Sequence, residues 1–336
     1  MLKVGIVGMG IRGQMYAGVL AKNPYAQLAS FCEFDRQRLE SCKKEFGVDG
    51  YGDYREMIDH EKLDAVIIAT PDFAHKDAFI CTVENGIDVM VEKPFADNLA
   101  DAGQMYELVR SKGVKCLVAF ENRWNLPFVA LKKYMQENPV GEILSINSIL
   151  NDSIYVPTKM LSWARKSSPA WFLLSHACDM ACFMKGKKVQ SVYATGVKKK
   201  LVSMGIDTYD SIHTNILFED GTDASFENCW VLPESMPMVY DFKFNIIAEK
   251  QSFSVNLQDQ MLRVMGNSYS HLHTLGTPVD GHLTLAPGYM LDSFIEDVRL
   301  GRKPSCNEED GYYNVKIVDA VHRSIREKRI VMIDDI

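Results

Sequence analysis

The chain has 336 residues, 47% of them hydrophobic and 24% charged, a balance that excludes a disordered chain and predicts a globular protein of two domains. Its net charge of −7 argues against nucleic acid and anionic membrane as partners, because both repel an acidic surface. No apolar run approaches the roughly 18 residues that span a bilayer, and the eight cysteines form no C-x-x-C pair, so they read as reduced thiols of a cytoplasmic protein without a signal peptide.

The first third alternates apolar runs with stretches of helical spacing. The runs are "KVGIVG" (3–8), "LASFCEF" (28–34), "DAVIIAT" (64–70), "IDVMVEK" (87–93) and "VKCLVAFE" (114–121). Strands separated by helices call for a parallel sheet, and runs apolar on both phases call for helices on both faces. Gly47, Gly86 and Gly113 close the intervening helical stretches, where a left-handed C-cap is wanted. The expected class is therefore an α/β doubly wound parallel sheet over residues 1–121, the layout of a Rossmann domain, whose opening turn carries the case for NAD(P).

The opening turn, "VGIVGMGIRGQMY" (4–16), carries the dinucleotide fingerprint G-x-G-x-x-G. Gly8 permits the tight turn, Gly10 the approach of a pyrophosphate, and Gly13 the packing of the helix on the strand. Ile11 and Arg12, within the turn, are candidate cofactor-binding residues as well, and the helix start offers N–H groups to the anion. Glu33 lies about 20 residues beyond the third glycine. A carboxylate there accepts the ribose hydroxyls and repels a 2′-phosphate, which favours NAD; Asp35 is the neighbouring candidate, and Arg36 leaves NADP possible.

"VEKPFADN" (91–98) follows a strand, at the edge where open α/β sheets bind ligands. The ammonium of Lys93 could hold a substrate hydroxyl or share its proton; the other reading is a surface Lys-Pro loop. Taken together and in this order, "VGIVGMGIRG", "ATPDFAH" and "VEKPFADN" resemble the glucose-fructose oxidoreductase / inositol dehydrogenase (Gfo/Idh/MocA) family, and the closing "FIEDVRLGRKPSCNEEDGYYNVKIVDAVHRSIREKRIVMI" is similar to that family's final helices and strand. The resemblance implies an NAD(P)-dependent dehydrogenase in which Lys93 stands beside the nicotinamide and Glu92 and Pro94 shape its loop. It also implies that Thr70, Pro71 and His75 line the cofactor cleft, with Asp72 where asparagine is usual. Asn122 and Arg123, in "AFENRW", reach cofactor or substrate, or Arg123 serves as a structural clamp.

Beyond residue 122 alternating strands dominate, and Asp220-Gly221 is a two-residue hairpin signal. Residues 122–336 are expected to form a mostly antiparallel open sheet with helices on one face. The other face is left for a subunit contact, and the resemblance implies a homodimer or homotetramer. In "SSPAWFLLSHACDMACFMKG" the residues Phe172, His176, Asp179 and Phe183 recur at helical spacing. His176 could take a hydroxyl proton with a carboxylate one turn away to orient it, or be a satisfied core histidine.

The resemblance assigns His176 and Asp179 to the family's D-x-x-x-H-x-x-D and puts Phe172 where its first aspartate stands. Either His176 works with Lys93 alone, or a group such as Asp152 fills in, or the chemistry differs. The candidate catalytic residues are thus Lys93, His176 and Asp179. Trp163, Arg165, Ser167, Ser168 and Trp171, with Arg123, are candidates for a sugar or polyol pocket. The implied reaction is hydride transfer between a sugar, cyclitol or related polyol and nicotinamide, with no metal. An NAD-dependent glycosidase and a non-catalytic NAD(P)-binding sensor are the alternatives within the same fold.

Overall fold

The computed structural model describes residues 1–259, 262–265, 269–271, 278–279, 282–283 and 285–336. The chain divides into two compact units, Met1–Glu121 with Gly276–Tyr313, and Asn122–Leu275 with Asn314–Ile336.

The first unit is built on a six-stranded sheet in the order β3-β2-β1-β4-β5-β6, every neighbour parallel. Its strands are β1 (Leu2–Val7), β2 (Ala26–Cys32), β3 (Asp49–Tyr51), β4 (Ala65–Ile68), β5 (Asp88–Glu92) and β6 (Cys116–Ala119). β4 and β6 are buried at every position, as a sheet covered on both faces requires. The helices between them are α1 (Ile11–Leu20), α2 (Arg36–Phe46), α3 (Tyr54–His60), α4 (His75–Glu84) and α5 (Leu99–Lys112). Asp35, Asp53 and Asn98 cap α2, α3 and α5 by accepting backbone N–H groups, and Gly47 and Gly113 end α2 and α5 in left-handed geometry. The strand order reverses between β1 and β4, the switch point at which such sheets bind ligands.

β3 is absent from the apolar pattern because tertiary packing makes it. A Cβ on Gly50 would lie 2.7 Å from the Phe31 ring and 2.9 Å from Leu39, so the residue is glycine to admit those side chains.

The first unit also takes up Gly276–Tyr313, a return of the chain that a continuous second domain over 122–336 does not include. The physical reason lies in its contacts. Asp292, on helix Ala286–Leu300, accepts from Asn23 at 2.8 Å, Arg299 lies over the Tyr25 ring, and Val118 donates to the Cys306 carbonyl.

The second unit carries β7 (Ile143–Asp152), β8 (Val189–Val197), β9 (Ser211–Phe218), β10 (Asp223–Cys229), β11 (Tyr240–Ala248) and β12 (Ser252–Asn256), closed by the short strand Val331–Met332. The order is β12-β11-β7-β10-β9-β8 and then the closing strand. All neighbours are antiparallel except β7 and β10, which run parallel. The Asp220-Gly221 turn joins β9 to β10 as predicted, with Gly221 at φ +86°.

Burial alternates along β9, where Ile212, Thr214, Ile216 and Phe218 face inward. Helices α6 (Leu126–Glu137) and α7 (Ser175–Lys185) belong to this unit; Phe128 of α6 packs on Phe242 and Phe244 of β11. Tyr193, Leu217 and Ile247 are exposed. The Lys198–Lys200 run is ordered by Asp210, which accepts the N–H groups of Lys199, Lys200 and Leu201. The cysteines are free thiols, and no described helix is long and apolar enough to cross a membrane.

Candidate active site

The three glycines of the opening turn are glycine for different reasons. Gly8 has φ +93°, and a Cβ on it would sit 2.9 Å from the Ala69 carbonyl oxygen. On Gly13 a Cβ would be 1.9 Å from the Gly8 carbonyl oxygen, but on Gly10 it would meet nothing within 4 Å. Protein fills the space at the first two, whereas at Gly10 the space stays open, directly at the N-terminus of the ten-residue α1. Such a helix start presents its first N–H groups outward, and Ile11 is 72% exposed there. The residues therefore fit a dinucleotide diphosphate.

Glu33 is buried and held through both oxygens: one accepts the Met9 N–H at 3.0 Å and Arg38 at 3.1 Å, the other the Asp35 N–H at 2.9 Å, which leaves that second oxygen able to accept further. The carboxylate ties the end of β2 to the glycine turn. The cation beside it is Arg38, not the Arg36 singled out by proximity in sequence; its position one helical turn into α2 is what brings it back.

At the end of β5 the Lys93–Pro94 peptide is cis, and the peptide groups on either side of it are held. The Lys93 N–H donates to one Glu92 oxygen at 3.2 Å, and the other Glu92 oxygen accepts the Tyr16 hydroxyl at 2.6 Å. On the far side the His75 ring reaches the Pro94 carbonyl at 2.8 Å through Nδ1 and the Thr70 carbonyl at 3.0 Å through Nε2. Thr70 in turn donates to the Ala74 carbonyl, and Pro71 opens the turn Asp72–Ala74. His75 is thus a buried brace between two loops, where the family pattern suggested a side chain lining the cofactor cleft.

Lys93 itself is only 6% exposed. Arg12 turns away from the open side of its turn: its guanidinium donates to Glu121 at 2.7 Å and lies 3.6 Å from Glu92. Burial opposes its charge, but the two carboxylates outweigh that and hold its pKa above the ordinary value. Burial, and then the Glu92 carboxylate, push the Tyr16 hydroxyl up as well.

In the second unit the predicted single helix is two pieces. A π-turn spans Ala170–Leu174, with the Ser175 N–H bonded to the Ala170 carbonyl, and α7 begins at Ser175. Phe172 therefore sits within the π-turn while His176 and Asp179 lie on α7, so the residues do not share one unbroken α-helical stripe. π-turns of this kind recur at functional sites. Phe172 packs against Trp163 at 6.2 Å and Trp230 at 5.6 Å between ring centroids.

Both oxygens of Asp179 accept from Arg123, at 2.9 Å from Nε and 2.6 Å from Nη2. The pair is nearly excluded from water, at 8% and 3% side-chain exposure, and the guanidinium lies over the Phe183 ring. Of the alternatives for Arg123, the clamp is the one seen. His176 is half-buried in the first turn of α7, and Asp152 is buried at the end of β7.

Around this helix, Trp171 stacks on His322 at 5.2 Å. The His322 Nδ1 faces the Val318 carbonyl and its Nε2 the Ser168 hydroxyl, each at 2.9 Å. Since the carbonyl can only accept, Nδ1 carries the proton and Ser168 donates to Nε2. Burial, the largest effect, lowers the His322 pKa. Ser167 accepts Thr208 through its carbonyl, Arg165 is exposed, and Asn122 accepts from Asn125. Tyr16, Arg38, Trp230 and His322 were not singled out by the sequence, since each acquires its role from a partner on another segment or another turn. Among the described residues no cluster of His, Cys, Asp and Glu is arranged to hold a metal.

The model of an oxidoreductase family with an NAD-binding Rossmann fold, GFO_IDH_MocA, matches residues 2–120, and that of the GFO/IDH/MocA C-terminal domain matches 128–254. The chain is 24% identical to a myo-inositol 2-dehydrogenase of Thermotoga maritima over 100% of this chain and 99% of that protein. It is 28% identical to a levoglucosan dehydrogenase of Pseudarthrobacter phenanthrenivorans over 67% of each. The fold superposes on scyllo-inositol dehydrogenase from Lactobacillus casei, with bound NAD(H) and scyllo-inositol, at a TM-score of 0.87, 20% identity and 99% coverage of both chains.

Proposed function

Since both domain models match in order, the chain belongs to the Gfo/Idh/MocA oxidoreductase family, and we propose that it oxidises a secondary alcohol of a sugar, cyclitol or related polyol with NAD. The observation that carries this reading is the pair of contacts that hold the chain on either side of the Lys93–Pro94 bond at the end of β5, Glu92 on the Lys93 N–H and His75 on the Pro94 carbonyl, in the same sheet whose first strand ends in the open cradle at Gly10. The names of the relatives, dehydrogenases of inositols and of an anhydro sugar, point to the same substrate class.

The helix start after Gly10 would bind the diphosphate through backbone N–H groups, and Glu33 would accept the ribose hydroxyls and disfavour a 2′-phosphate. Bound there, NAD supplies the two-electron oxidation by accepting a hydride. Lys93 of the first unit and His176 of the second are the groups assigned to moving the hydroxyl proton. Asp179, neutralised by Arg123, anchors the helix that carries His176. Trp163 and Phe172 offer ring faces to the C–H face of a sugar ring. The exposed sheet face with Tyr193, Leu217 and Ile247 serves a homodimer or homotetramer of a cytoplasmic enzyme, which light scattering reads directly.

The test is incubation of the purified protein with NAD and a panel of cyclitols, hexoses and anhydrohexoses. Equimolar NADH and ketone are expected. Release of an aglycone from an aryl glycoside without net NADH would replace hydride transfer to product by the glycosidase reaction, and silence on the whole panel would remove the dehydrogenase reading.

A further inference from the structure

An arginine between two glycines of a phosphate-binding turn would ordinarily extend toward the anion or into water. Arg12 does neither. Its guanidinium is directed at the carboxylates that follow β5 and β6, 2.7 Å from Glu121 and 3.6 Å from Glu92. Glu92 is 6% exposed, and its two oxygens have separate duties: Oε1 accepts the Tyr16 hydroxyl from α1, and Oε2 accepts the backbone N–H of Lys93. A single guanidinium, on a side chain 35% exposed, therefore faces two carboxylates that are themselves largely shielded from water, and one of those carboxylates accepts the backbone N–H of Lys93.

We propose that Arg12 is a positioning residue for Lys93: with Tyr16 it fixes the Glu92 carboxylate, which in turn fixes the Lys93 peptide, while the dinucleotide diphosphate is left to the backbone N–H groups of the turn. This rests on Lys93 acting in proton transfer. One consequence is electrostatic. Arg12 offsets negative charge next to Lys93, so its removal leaves carboxylates that favour the protonated amine. A second is geometric: the turn that receives the cofactor and the loop that carries the lysine share one side chain, and both are set before substrate arrives. A diphosphate ligand would behave differently, since losing it weakens NAD binding and leaves turnover at saturation alone.

Three variants test this: Arg12→Gln, Arg12→Lys and Tyr16→Phe. Each is read by calorimetry with NAD, by steady-state kinetics across pH, and by the rate at which Lys93 is acylated at a fixed pH, followed by peptide mass spectrometry. For Arg12→Gln the NAD Kd is expected to stay within about 3-fold, while kcat falls about 30-fold, in the range of an impaired proton transfer. The acid limb of the kcat profile moves to higher pH and acylation of Lys93 slows. Arg12→Lys, which keeps the charge and loses the fork, recovers part of each effect. Tyr16→Phe shows a smaller loss of the same sign.

Weakening of NAD by about tenfold or more with kcat unchanged would make Arg12 a phosphate ligand and overturn the proposal. Unchanged kcat and acylation in Arg12→Gln would overturn it equally. If Arg12→Gln does not fold, Tyr16→Phe decides, and wild-type values of kcat and acylation there would end the idea. Should the wild-type protein oxidise no polyol, the dehydrogenase reading fails, while the acylation rates still report whether Arg12 governs Lys93.

Discussion

In the first unit the carboxylates and the histidine of the motifs hold backbone groups beside their side-chain partners, whereas in the second the carboxylate on α7 is gripped by another side chain. Glu33 binds the N–H groups of Met9 and Asp35, Glu92 that of Lys93, and His75 the carbonyls of Thr70 and Pro94. In the second unit the carboxylate of Asp179 is held by the fork of Arg123, 56 residues away in sequence. A backbone partner is present whatever the neighbouring side chains are, so a short motif suffices to specify it. A side-chain partner must be delivered by the fold, and its loss leaves a charge stranded in a dry place. The first arrangement favours fixed geometry for a common cofactor, the second a helix whose anchoring varies with sequence.

The largest effect that would break this contrast concerns Lys93. Lys93→Ala is expected to lower kcat by about 10³-fold, within the range of general acid–base contributions, with the NAD Kd and melting temperature unchanged; an activity near wild type would take the first unit's loop out of the chemistry. Next comes Asp179→Ala, which strands Arg123 and should cost about 3 kcal/mol or more by chemical denaturation, as removal of one member of a buried pair does. The pair Asp179→Leu with Arg123→Met should restore most of that stability, and additive losses in the double variant would mean the two residues do not act as a clamp.

Smaller in stability but sharp in function are the glycines. Gly10→Ala should weaken NAD by about 30-fold, the order of 2 kcal/mol, at unchanged melting temperature, because its methyl enters only the open cradle. Gly13→Ala should instead lower the melting temperature, since its methyl enters the Gly8 carbonyl. Equal behaviour of the two variants would erase the difference between cradle and packing.

The smallest effect is on pH. His322 has its folded-state pKa depressed below 6.5 by burial, so the unfolded chain binds the proton more readily. Its contribution is intact above 6.5 and declines as pH falls below it, with a slope of at most about 1.4 kcal/mol per pH unit. In a His322→Gln variant the melting temperature should lose that part of its pH dependence. A profile that stays as steep would assign the dependence to other groups.

Much of the first unit was legible before its coordinates. Apolar runs, capping residues and closing glycines are local signals, and their helices and strands lie where those signals put them. β3 was not legible, because Gly50 is a strand residue only against Phe31 and Leu39. Nor was the return of Gly276–Tyr313 to the first unit, since the contacts of Asp292 and Cys306 join segments far apart in sequence. At the candidate site the motifs singled out Gly8, Gly10, Gly13, Glu33, Lys93 and His176, on which the proposed function rests. They did not show that His75 braces two loops or that a π-turn interrupts the helix at Phe172.

The sequence by itself determined the alternation of the first sheet, the glycine turn and the acid about 20 residues beyond it, the E-K-P loop and the family, because each is written in contiguous residues whose local geometry needs nothing distant. Only the tertiary structure decided that Arg12 turns to Glu121 and Glu92, that Arg38 is the cation at Glu33, that Arg123 holds Asp179 and that Phe172 packs between Trp163 and Trp230. Those pairings depend on which charges and rings are left without water once the elements pack, and burial of that kind is a property of the folded chain.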